Sequence, residues 1–344
     1  MTSPVLLDVV DGVATLTLNR PDALNALSFE MMEALSEATA QLSRRDDLRV
    51  VVVTGAGNHF MAGGDLKDFA GQLHLSPESR IATFRATIEQ HINRSVEAFA
   101  ALRVPVIARV HGACAGFGLS LAMGCDMVVA ADTAYFTTAY SSIALSGDGG
   151  VSWFLPRIVG RSKAFELLLL ADRFDAAEAL RLGIVNKVVP LAELDDAVAK
   201  LVGRFLRGPR DTYAEMKRLL GQSPDQSLDV QLQLEAEAFA RCAARPDFDE
   251  GVNAFFEKRK ARFNGRGDTP EDPAIRGRHS RRRGGENRSS PRPRRRARDS
   301  LALRPARIPM PLRCANRSDS SGRAALSQHP RAQKGGEGVP ARPL

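Results

Sequence analysis

One carboxylate and three glycine-rich loops are the parts of this chain whose residue types and spacing could do chemistry. The loops span residues 61–65, 112–118 and 147–150, and each follows a predicted strand or lies near one. Because glycine has no Cβ, another atom can closely approach the backbone N–H groups of such a loop. The N–H groups of Gly64 and Phe117 could together bind one carbonyl oxygen. Such an oxyanion hole is a large catalytic effect in enzymes that act on acyl compounds.

Glycine in a loop more often marks only a turn, so the spacing alone leaves both interpretations open. A nucleotide-binding interpretation fails on detail. The chain has neither G-x-x-x-x-G-K-[S/T] nor a G-x-G-x-x-G that opens a helix after a strand.

Asp148 lies in the third glycine-rich loop. A single carboxylate beside an oxyanion hole can take a proton from one carbon and return it to another. Aspartate is also a preferred N-cap residue, so Asp148 could simply cap the helix predicted from Gly149. Other enzyme classes lack support, because the histidines form no H-E-x-x-H pattern and Ser120 is not in a G-x-S-x-G elbow. We interpret His111 as structural.

The elements that must position these loops alternate between strands and helices. A hairpin is predicted at residues 5–10 and 14–18 around an Asp-Gly turn. Apolar runs predict strands at 50–54 and 104–110, directly before the first two loops, and a helix at 119–124 follows the second loop. Further short strands are predicted at 126–130, 134–137 and 187–189. This order predicts an α/β fold with parallel strands.

The remaining periodicity is helical. Ser28 is a predicted N-cap, and Pro77 stands in the first turn of a helix that we expect to run to about residue 102. Further helices are predicted at residues 151–158, 163–170, 176–182, 191–206, 213–220, 228–244 and 248–262.

The chain of 344 residues joins two different compositions. Its net charge is +8, but 20 Lys and Arg against 7 Asp and Glu lie after Asn264, so the preceding part is slightly acidic, near −5. From Gly265 the sequence is rich in Arg, Pro, Ser and Gly, and it cannot bury enough apolar surface to fold. We therefore predict a core over residues 1–200, a helical segment over 201–264 and a disordered tail over 265–344. The tail could bind nucleic acid nonspecifically or have no role, and it has no aromatic residue for base stacking.

The number and spacing of the cysteines predict the cellular compartment of the protein and the state of its thiols. The four cysteines are scattered without a C-x-x-C pair, so we expect free thiols in a reducing cytoplasm, with no disulfide frame and no metal site. No apolar run is long enough for a membrane span, and no signal peptide is apparent at the N-terminus.

Several short motifs resemble, in order and spacing, the signature positions of the crotonase (enoyl-CoA hydratase/isomerase) superfamily. The resemblance covers about residues 5–266. The matching positions are Asn19-Arg20-Pro21, Asn25-Ala26-Leu27, Ala62-Gly63-Gly64-Asp65-Leu66, Val110-His111-Gly112 with Ala115-Gly116, Cys125-Asp126, Phe136, Ala139-Tyr140-Ser141, Asp148-Gly149-Gly150, and Leu155-Pro156-Arg157 with Gly160.

The resemblance implies a spiral of stacked ββα units, followed by helices that build trimer contacts in a homotrimer or a dimer of trimers. It implies an acyl-CoA thioester substrate whose carbonyl is bound by the N–H groups of Gly64 and Phe117, with no metal or redox cofactor. Residues at positions that line the CoA site are Ala23, Leu24, Ala62, Asp65 and Leu66, with Lys67 as a partner for a CoA phosphate. The acyl pocket would be lined by Leu73, Phe84, Ile88, Tyr140, Trp153 and Phe255.

Two departures from the family pattern bear on the reaction. The hydratases of the family use two glutamates to activate water, and Ser120 and Tyr140 stand at those positions. Asp148 resembles the catalytic aspartate of the isomerase branch. We therefore expect a double-bond isomerase. The alternatives are an enoyl-CoA hydratase and a non-catalytic member that binds acyl-CoA or RNA.

Overall fold

The computed structural model describes residues 3–263 of the chain. The predicted basic tail, residues 265–344, lies outside the described residues. Within the described part, strands and helices alternate through most of the first 190 residues, and helices follow to residue 256. The α/β class predicted from the sequence is confirmed.

Six strands form the main sheet, in the order β1-β2-β3-β4-β6-β9. The first two strands are the predicted hairpin and pair antiparallel, and every other pair in this sheet is parallel. The bounds of these six strands are Val5–Val10 (β1), Val13–Leu18 (β2), Val50–Gly55 (β3), Val106–Val110 (β4), Met127–Ala131 (β6) and Lys187–Val189 (β9).

Three short strands form a second sheet. It comprises β5 (Ala113–Ala115), β7 (Tyr135–Thr137) and β8 (Phe174–Asp175), in the order β5-β7-β8. The sequence predicted β5 as loop, because three small residues between glycines carry no alternating pattern. In the structure Ala113 pairs with Tyr135 and Ala115 with Thr137, so the second glycine-rich loop is held by a strand at its centre.

The main sheet is covered on both faces, as is usual for parallel strands. Along β3, Val51 and Val53 belong to the larger core, whereas Val50 and Val52 belong to a smaller core on the other face. The larger core includes Met31, Leu35 and Phe99 from helices that pack on the first face. The first two glycine-rich loops follow β3 and β4, and Met61, Cys114 and Phe117 of these loops belong to the larger core.

Twelve helices of four or more residues with α geometry are present between residues 3 and 263. Their bounds are Phe29–Ser43 (α1), Leu66–Ala70 (α2), Pro77–Thr87 (α3), Asn93–Ala101 (α4), Phe117–Met123 (α5), Val151–Val159 (α6), Arg161–Leu170 (α7), Ala176–Arg181 (α8), Leu194–Leu206 (α9), Arg210–Gln222 (α10), Leu228–Ala243 (α11) and Pro246–Phe256 (α12).

Most helix predictions agree with these bounds, and two differ. The single helix predicted from residue 76 to 102 is divided into α3 and α4 by a π-helical stretch, Ile88–Ile92. The helix predicted at 248–262 ends at Phe256, because Lys258 adopts a left-handed conformation with φ +54° and the N–H of Arg259 donates to the carbonyl of Ala254. Such a reversal ends a helix.

Helices α10 to α12 enclose an apolar groove of about 1030 Å³. Large side chains remain exposed along it, with Phe239 at 75%, Phe255 at 78% and Phe256 at 76% of their accessible surface. The predicted boundary at residue 200 falls inside α9, whose residues Leu194, Ala197 and Val198 complete the smaller core. Between residues 3 and 263, no helix is both long and apolar enough to cross a lipid bilayer.

Candidate active site

The first two glycine-rich loops meet backbone to backbone. The N–H of Met61 donates to the carbonyl of Ala113 at 2.9 Å, and the N–H of Ala115 donates back to Met61 at 2.8 Å. Gly63 (φ +99°) stands two residues after Met61, and Gly116 (φ +52°) follows Ala115 directly. A Cβ on Gly116 would lie 3.2 Å from Cα of Gly63. Both the conformation and the close approach therefore require glycine.

The N–H groups of Gly64 and Phe117 are the two donors that the sequence suggested. The N–H of Leu27 donates to the carbonyl of Gly63 at 2.7 Å, and the N–H of Asp65 donates to the carbonyl of Leu27 at 3.0 Å. These two bonds flank Gly64 and do not use its N–H. Phe117 is the first residue of α5, where backbone N–H groups have no partner within the helix. Neither N–H donates to another group within residues 3–263. Two donors are thus available to a carbonyl oxygen.

The third glycine-rich loop packs against the second. A Cβ on Gly149 would lie 2.6 Å from Cδ2 of Phe117 and 3.0 Å from Cβ of Ser120. The Phe117 ring is fully buried, so it occupies the space between the two loops. Its position brings Asp148 close to the start of α5.

Ser120, Tyr140 and Asp148 form one hydrogen-bonded group. The Tyr140 hydroxyl donates to Oδ1 of Asp148 at 2.7 Å and lies 3.1 Å from Oγ of Ser120. The Ser120 hydroxyl is also 3.0 Å from the main-chain carbonyl of Asp148. Ser120 is fully buried and Tyr140 is 8% exposed. Tyr140 therefore contacts the candidate catalytic carboxylate directly, and Ser120 contacts Tyr140 and the backbone of Asp148.

Burial raises the pKa of Asp148 above its ordinary value, and the hydrogen bond from Tyr140 opposes that rise. Burial also raises the pKa of Tyr140, and the neighbouring Asp148 carboxylate raises it further. A Tyr140 phenol in this place keeps its proton at neutral pH and acts as a donor. A carboxylate whose pKa is shifted toward neutrality is suited to both halves of a proton transfer.

Asp65 is predicted to line the CoA site, and both of its carboxylate oxygens already have partners within the protein. Its Oδ2 lies 2.8 Å from the Arg20 guanidinium, and its Oδ1 accepts the N–H of Lys67 at 2.9 Å, which caps α2. Burial acts to raise the pKa of Asp65, but the bonds from Arg20 and Lys67 hold the pKa below its ordinary value. Asp65 therefore fixes the first loop in place.

The other predicted CoA-site residues lie around the same loop. The N–H of Ala62 donates to the carbonyl of Leu24 at 3.1 Å, which joins the loop to the 3₁₀ turn Pro21–Ala23. Leu24 is 45% exposed and Leu66 58% exposed, and Lys67 is exposed as well. Ala23, Leu24, Ala62, Leu66 and Lys67 thus form a rim around this loop, in which Leu24, Leu66 and Lys67 are exposed and the two alanines are half-buried.

The sequence analysis assigned no role to two residues that support the first loop. Asn25 is fully buried, its amide donates to the carbonyls of Ala56 and His59 at 2.9 and 2.7 Å, and its Oδ1 accepts the N–H of Arg20. Phe69 lies over the first loop, because a Cβ on Gly64 would come within 2.5 Å of Cζ of its ring. The Asn25 signal was visible in the motif. The Phe69 contact had no signal in the sequence.

The predicted acyl pocket is only partly assembled within one chain. Phe84 packs edge-on against Phe69 with ring centroids 5.4 Å apart, which places it near Gly64. Tyr140 is buried beside Asp148. Phe255 instead lines the groove between α10 and α12, where no residue of the glycine-rich loops is present. Leu73 and Trp153 are exposed to 67% and 40%.

The histidine near the second loop has a structural environment, as expected. His111 is 5% exposed, its Nε2 lies 2.9 Å from the carbonyl of Gly57, and its Nδ1 lies 2.9 Å from Arg109. Burial lowers the pKa of His111, so it is neutral at neutral pH. No group of three or more His, Cys, Asp or Glu side chains within residues 3–263 is arranged to hold a metal ion.

Comparison with known proteins identifies the family of the chain. A family model described as enoyl-CoA hydratase/isomerase matches residues 8–266. The chain is 37% identical over 263 residues to a 1,2-epoxyphenylacetyl-CoA isomerase from Escherichia coli (strain K12), covering 76% of this chain and 98% of the relative. It is 35% identical over 260 residues to a crotonyl-CoA hydratase from Syntrophomonas wolfei, covering 75% and 97%.

Solved structures agree in fold. An enoyl-CoA hydratase from Polaromonas sp. JS666 superposes with a TM-score of 0.70 at 33% identity, covering 76% of this chain and 99% of that one. An enoyl-CoA hydratase from Mycobacterium smegmatis gives a TM-score of 0.69 at 34% identity, covering 76% and 98%. The crotonase-like class expected from the motifs is thereby confirmed. With its matched sequence, its α/β fold and its paired glycine-rich loops, this chain belongs to the enoyl-CoA hydratase/isomerase family.

Proposed function

We propose that this protein is an acyl-CoA isomerase that moves a double bond within an enoyl or ring-derived CoA thioester. The observation that carries the proposal is the contact between Tyr140 and Asp148. One carboxylate is present in the group, and the positions of the two hydratase glutamates hold Ser120 and Tyr140. Tyr140 donates to that carboxylate, and Ser120 contacts the Tyr140 hydroxyl and the main-chain carbonyl of Asp148. Neither a serine nor a tyrosine hydroxyl is a competent base toward water near neutral pH.

The proposed reaction on a 3-enoyl-CoA has two proton transfers. The N–H groups of Gly64 and Phe117 polarise the thioester carbonyl, and the Asp148 carboxylate removes a proton from C2. The electron pair spreads over the thioester oxygen and the former double bond as a dienolate. Asp148 then returns the proton to C4, which leaves the conjugated 2-enoyl-CoA and restores the carboxylate. This scheme needs no metal or redox cofactor, and CoA is part of the substrate.

The test compares native protein with Asp148→Asn in the conversion of a 3-enoyl-CoA to the 2-enoyl-CoA. General-base catalysis by one group is worth about 10²- to 10⁴-fold, so we expect a loss of that size in the variant. Asp196→Asn is the matched control, since Asp196 is exposed on α9. An Asp148→Asn protein as fast as the native one would disprove the assignment.

Enoyl-CoA hydration is the second candidate, and the relatives named as hydratases favour it. Crotonyl-CoA is the substrate with which to test it, because the crotonyl-CoA hydratase of Syntrophomonas wolfei is 35% identical. Rapid formation of the 3-hydroxyacyl-CoA by the native protein, with slow isomerisation, would replace our proposal by this one. A panel of acyl-CoA thioesters scored for both products decides between them.

We further propose that CoA binds along the rim of Ala23, Leu24, Ala62, Leu66 and Lys67, with the Lys67 ammonium near a phosphate. A homotrimer, or a dimer of trimers, is supported by the exposed phenylalanines of the groove between α10 and α12. Light scattering of the purified protein measures the assembly mass directly. The free thiols of Cys114, Cys125 and Cys242 support a cytoplasmic location.

A further inference from the structure

The Tyr140 side chain makes a contact that the proposed proton transfer does not itself require. Its hydroxyl donates to one oxygen of Asp148, Oδ1, at 2.7 Å. The other carboxylate oxygen, Oδ2, makes no hydrogen bond to another residue within the described range 3–263. The two oxygens of the candidate base are therefore inequivalent before any substrate binds.

The Tyr140 ring is itself held in place. Only 8% of the residue is exposed, and Oγ of Ser120 lies 3.1 Å from the phenol oxygen. Ser120 also reaches the main-chain carbonyl of Asp148 at 3.0 Å, so one buried hydroxyl contacts both partners of the Tyr140–Asp148 pair. Ala139 and Ala144 adopt left-handed conformations on either side of Tyr140, with φ +58° and +57°. These reversals fold the segment back toward the loop that carries Asp148.

We infer that Tyr140 is a positioning residue for the candidate base: its phenol O–H binds Oδ1 of Asp148 and leaves Oδ2 as the oxygen that meets the substrate's proton. This inference rests on the proposed isomerase function. Because a phenol that donates to a carboxylate stabilises the ionised form, Tyr140 also keeps a buried Asp148 available as a base. Ser120 fixes the phenol and takes no proton from substrate.

Tyr140 is the side chain whose hydrogen bond acts on the Asp148 carboxylate. The groups that influence Asp148 are its own burial, its own backbone and the Tyr140 hydroxyl. Around Tyr140, the influential groups are Asp148 and Ser120. Among residues 3–263, no lysine, arginine or histidine forms a hydrogen bond or an ion pair with Tyr140 or Asp148. Removing the one phenol oxygen should therefore act on Asp148 without a compensating charge nearby.

The direct test is a titration of the Asp148 carboxyl by ¹³C NMR in protein labelled at aspartate, with Asp148→Asn to assign the signal. Tyr140→Phe keeps the ring and removes only the oxygen. We expect the pKa of Asp148 to rise in this variant, because the bond that opposes burial is lost. Tyr213→Phe is the matched control, since it removes a phenol oxygen from α10 and should leave the Asp148 signal unchanged.

The kinetic test uses the same variants with a 3-enoyl-CoA. For Tyr140→Phe we expect the acid limb of the kcat profile to move to higher pH and kcat below neutral pH to fall on the order of 10-fold, since a hydrogen bond to a charged group has about this effect. KM should change little. Ser120→Ala should move the limb in the same direction by less, because it loosens the phenol without removing it.

The outcomes separate this inference from the proposed function. An unchanged Asp148 titration in Tyr140→Phe overturns the inference, whatever the enzyme does. A rate that falls equally at every pH overturns it too, because a merely structural loss would give that result. A shifted titration in a native protein that does not isomerise 3-enoyl-CoA leaves the positioning contact intact and refutes the isomerase proposal alone.

Discussion

Cα of Gly63 lies 3.2 Å from the place where a Cβ of residue 116 would stand. The two loops that carry the candidate oxyanion donors therefore touch through glycine backbones. Because Gly64 and Phe117 each follow one of these glycines, the spacing between the two N–H groups depends on this contact. A methyl group added at this contact should therefore change the spacing between the N–H groups of Gly64 and Phe117.

Gly116→Ala should therefore impair catalysis more than folding. The added Cβ meets Gly63, and the backbone of residue 116 (φ +52°, ψ −124°) is outside the range that alanine adopts readily. We expect kcat to fall by about 100-fold, the size of effect seen when one oxyanion donor is lost. Gly160→Ala is the control, because Gly160 also has a positive φ (+77°) but nothing within 4 Å of an added Cβ. Similar kcat values for both variants would contradict the prediction.

Gly64→Ala tests the ring that lies over the first loop. Gly64 does not have a positive φ, so the obstacle to alanine is Cζ of Phe69 at 2.5 Å. We expect the single variant to lose activity by about 10-fold or more as the loop shifts, and Gly64→Ala combined with Phe69→Ala to recover much of the loss. Steady-state kinetics on the two single variants and the double variant measure the coupling. Additive losses would show that Phe69 is not the obstacle.

Asp65→Ala should loosen the first loop. It removes an ion pair with Arg20 and the cap of α2, and it leaves a partly buried guanidinium without its carboxylate. We expect a loss of about 2 kcal/mol in the free energy of unfolding, measured by urea denaturation. Asp65→Asn keeps a capping oxygen and should lose less. Equal stability of all three proteins would contradict this account.

The same carboxylate sets a pH dependence. The folded-state pKa of Asp65 lies below its unfolded value, so its contribution to stability is fully present above the unfolded pKa and is lost as pH falls through the folded pKa. The native protein should therefore lose this contribution on acidification, and Asp65→Asn should lack it. Thermal unfolding from neutral to acidic pH makes the comparison, with the difference between the two proteins narrowing as pH falls.

Glu215 joins two C-terminal helices and gives a second acid-sensitive contact. The Arg241 guanidinium bonds to both of its oxygens at 3.0 Å, and Arg218 adds two further bonds, which lower the pKa of Glu215 to about 2. This stabilisation is present above the unfolded-state pKa of Glu215 and is lost as pH falls toward 2. Glu215→Gln should cost about 1 kcal/mol at neutral pH.

Glu237→Gln is the matched control for Glu215→Gln. Glu237 pairs with the same Arg241, but at 3.6 Å and with 66% of its side chain exposed. Exposed pairs of this kind contribute about 0–1 kcal/mol. If Glu237→Gln lowered the free energy of unfolding as much as Glu215→Gln, exposure and geometry would not explain the relative contributions of these two ion pairs.

Local patterns predicted most of the strands and helices, because β3, β4 and α1 have clear apolar periods and Ser28 caps its helix as expected, accepting the N–H of Met31 at 3.2 Å. The glycine-rich loops were predicted as the place for chemistry because glycine permits sharp turns and a close approach to the backbone N–H groups. Strand β5 was missed, since its three residues depend on pairing with β7 and not on their own pattern.

The contact between Tyr140 and Asp148 could not be predicted. It depends on alanines in left-handed conformations at 139 and 144, which alanine does not favour. Such conformations persist only where surrounding contacts determine them. The sequence therefore indicated Ser120, Tyr140 and Asp148 as candidates, whereas the hydrogen-bonded group they form required the three-dimensional structure.

The pairing of Met61 with Cys114, and the bond from the N–H of Gly116 to the carbonyl of Thr137, join parts of the chain that are distant in sequence. No short fragment contains both candidate donors in their arrangement, so a partly unfolded chain would lack the proposed thioester site. Ligand binding and global unfolding are thus thermodynamically linked. A saturating acyl-CoA should raise the melting temperature of the whole core cooperatively, and amide exchange should slow in β4 and β6 as well as in the loops.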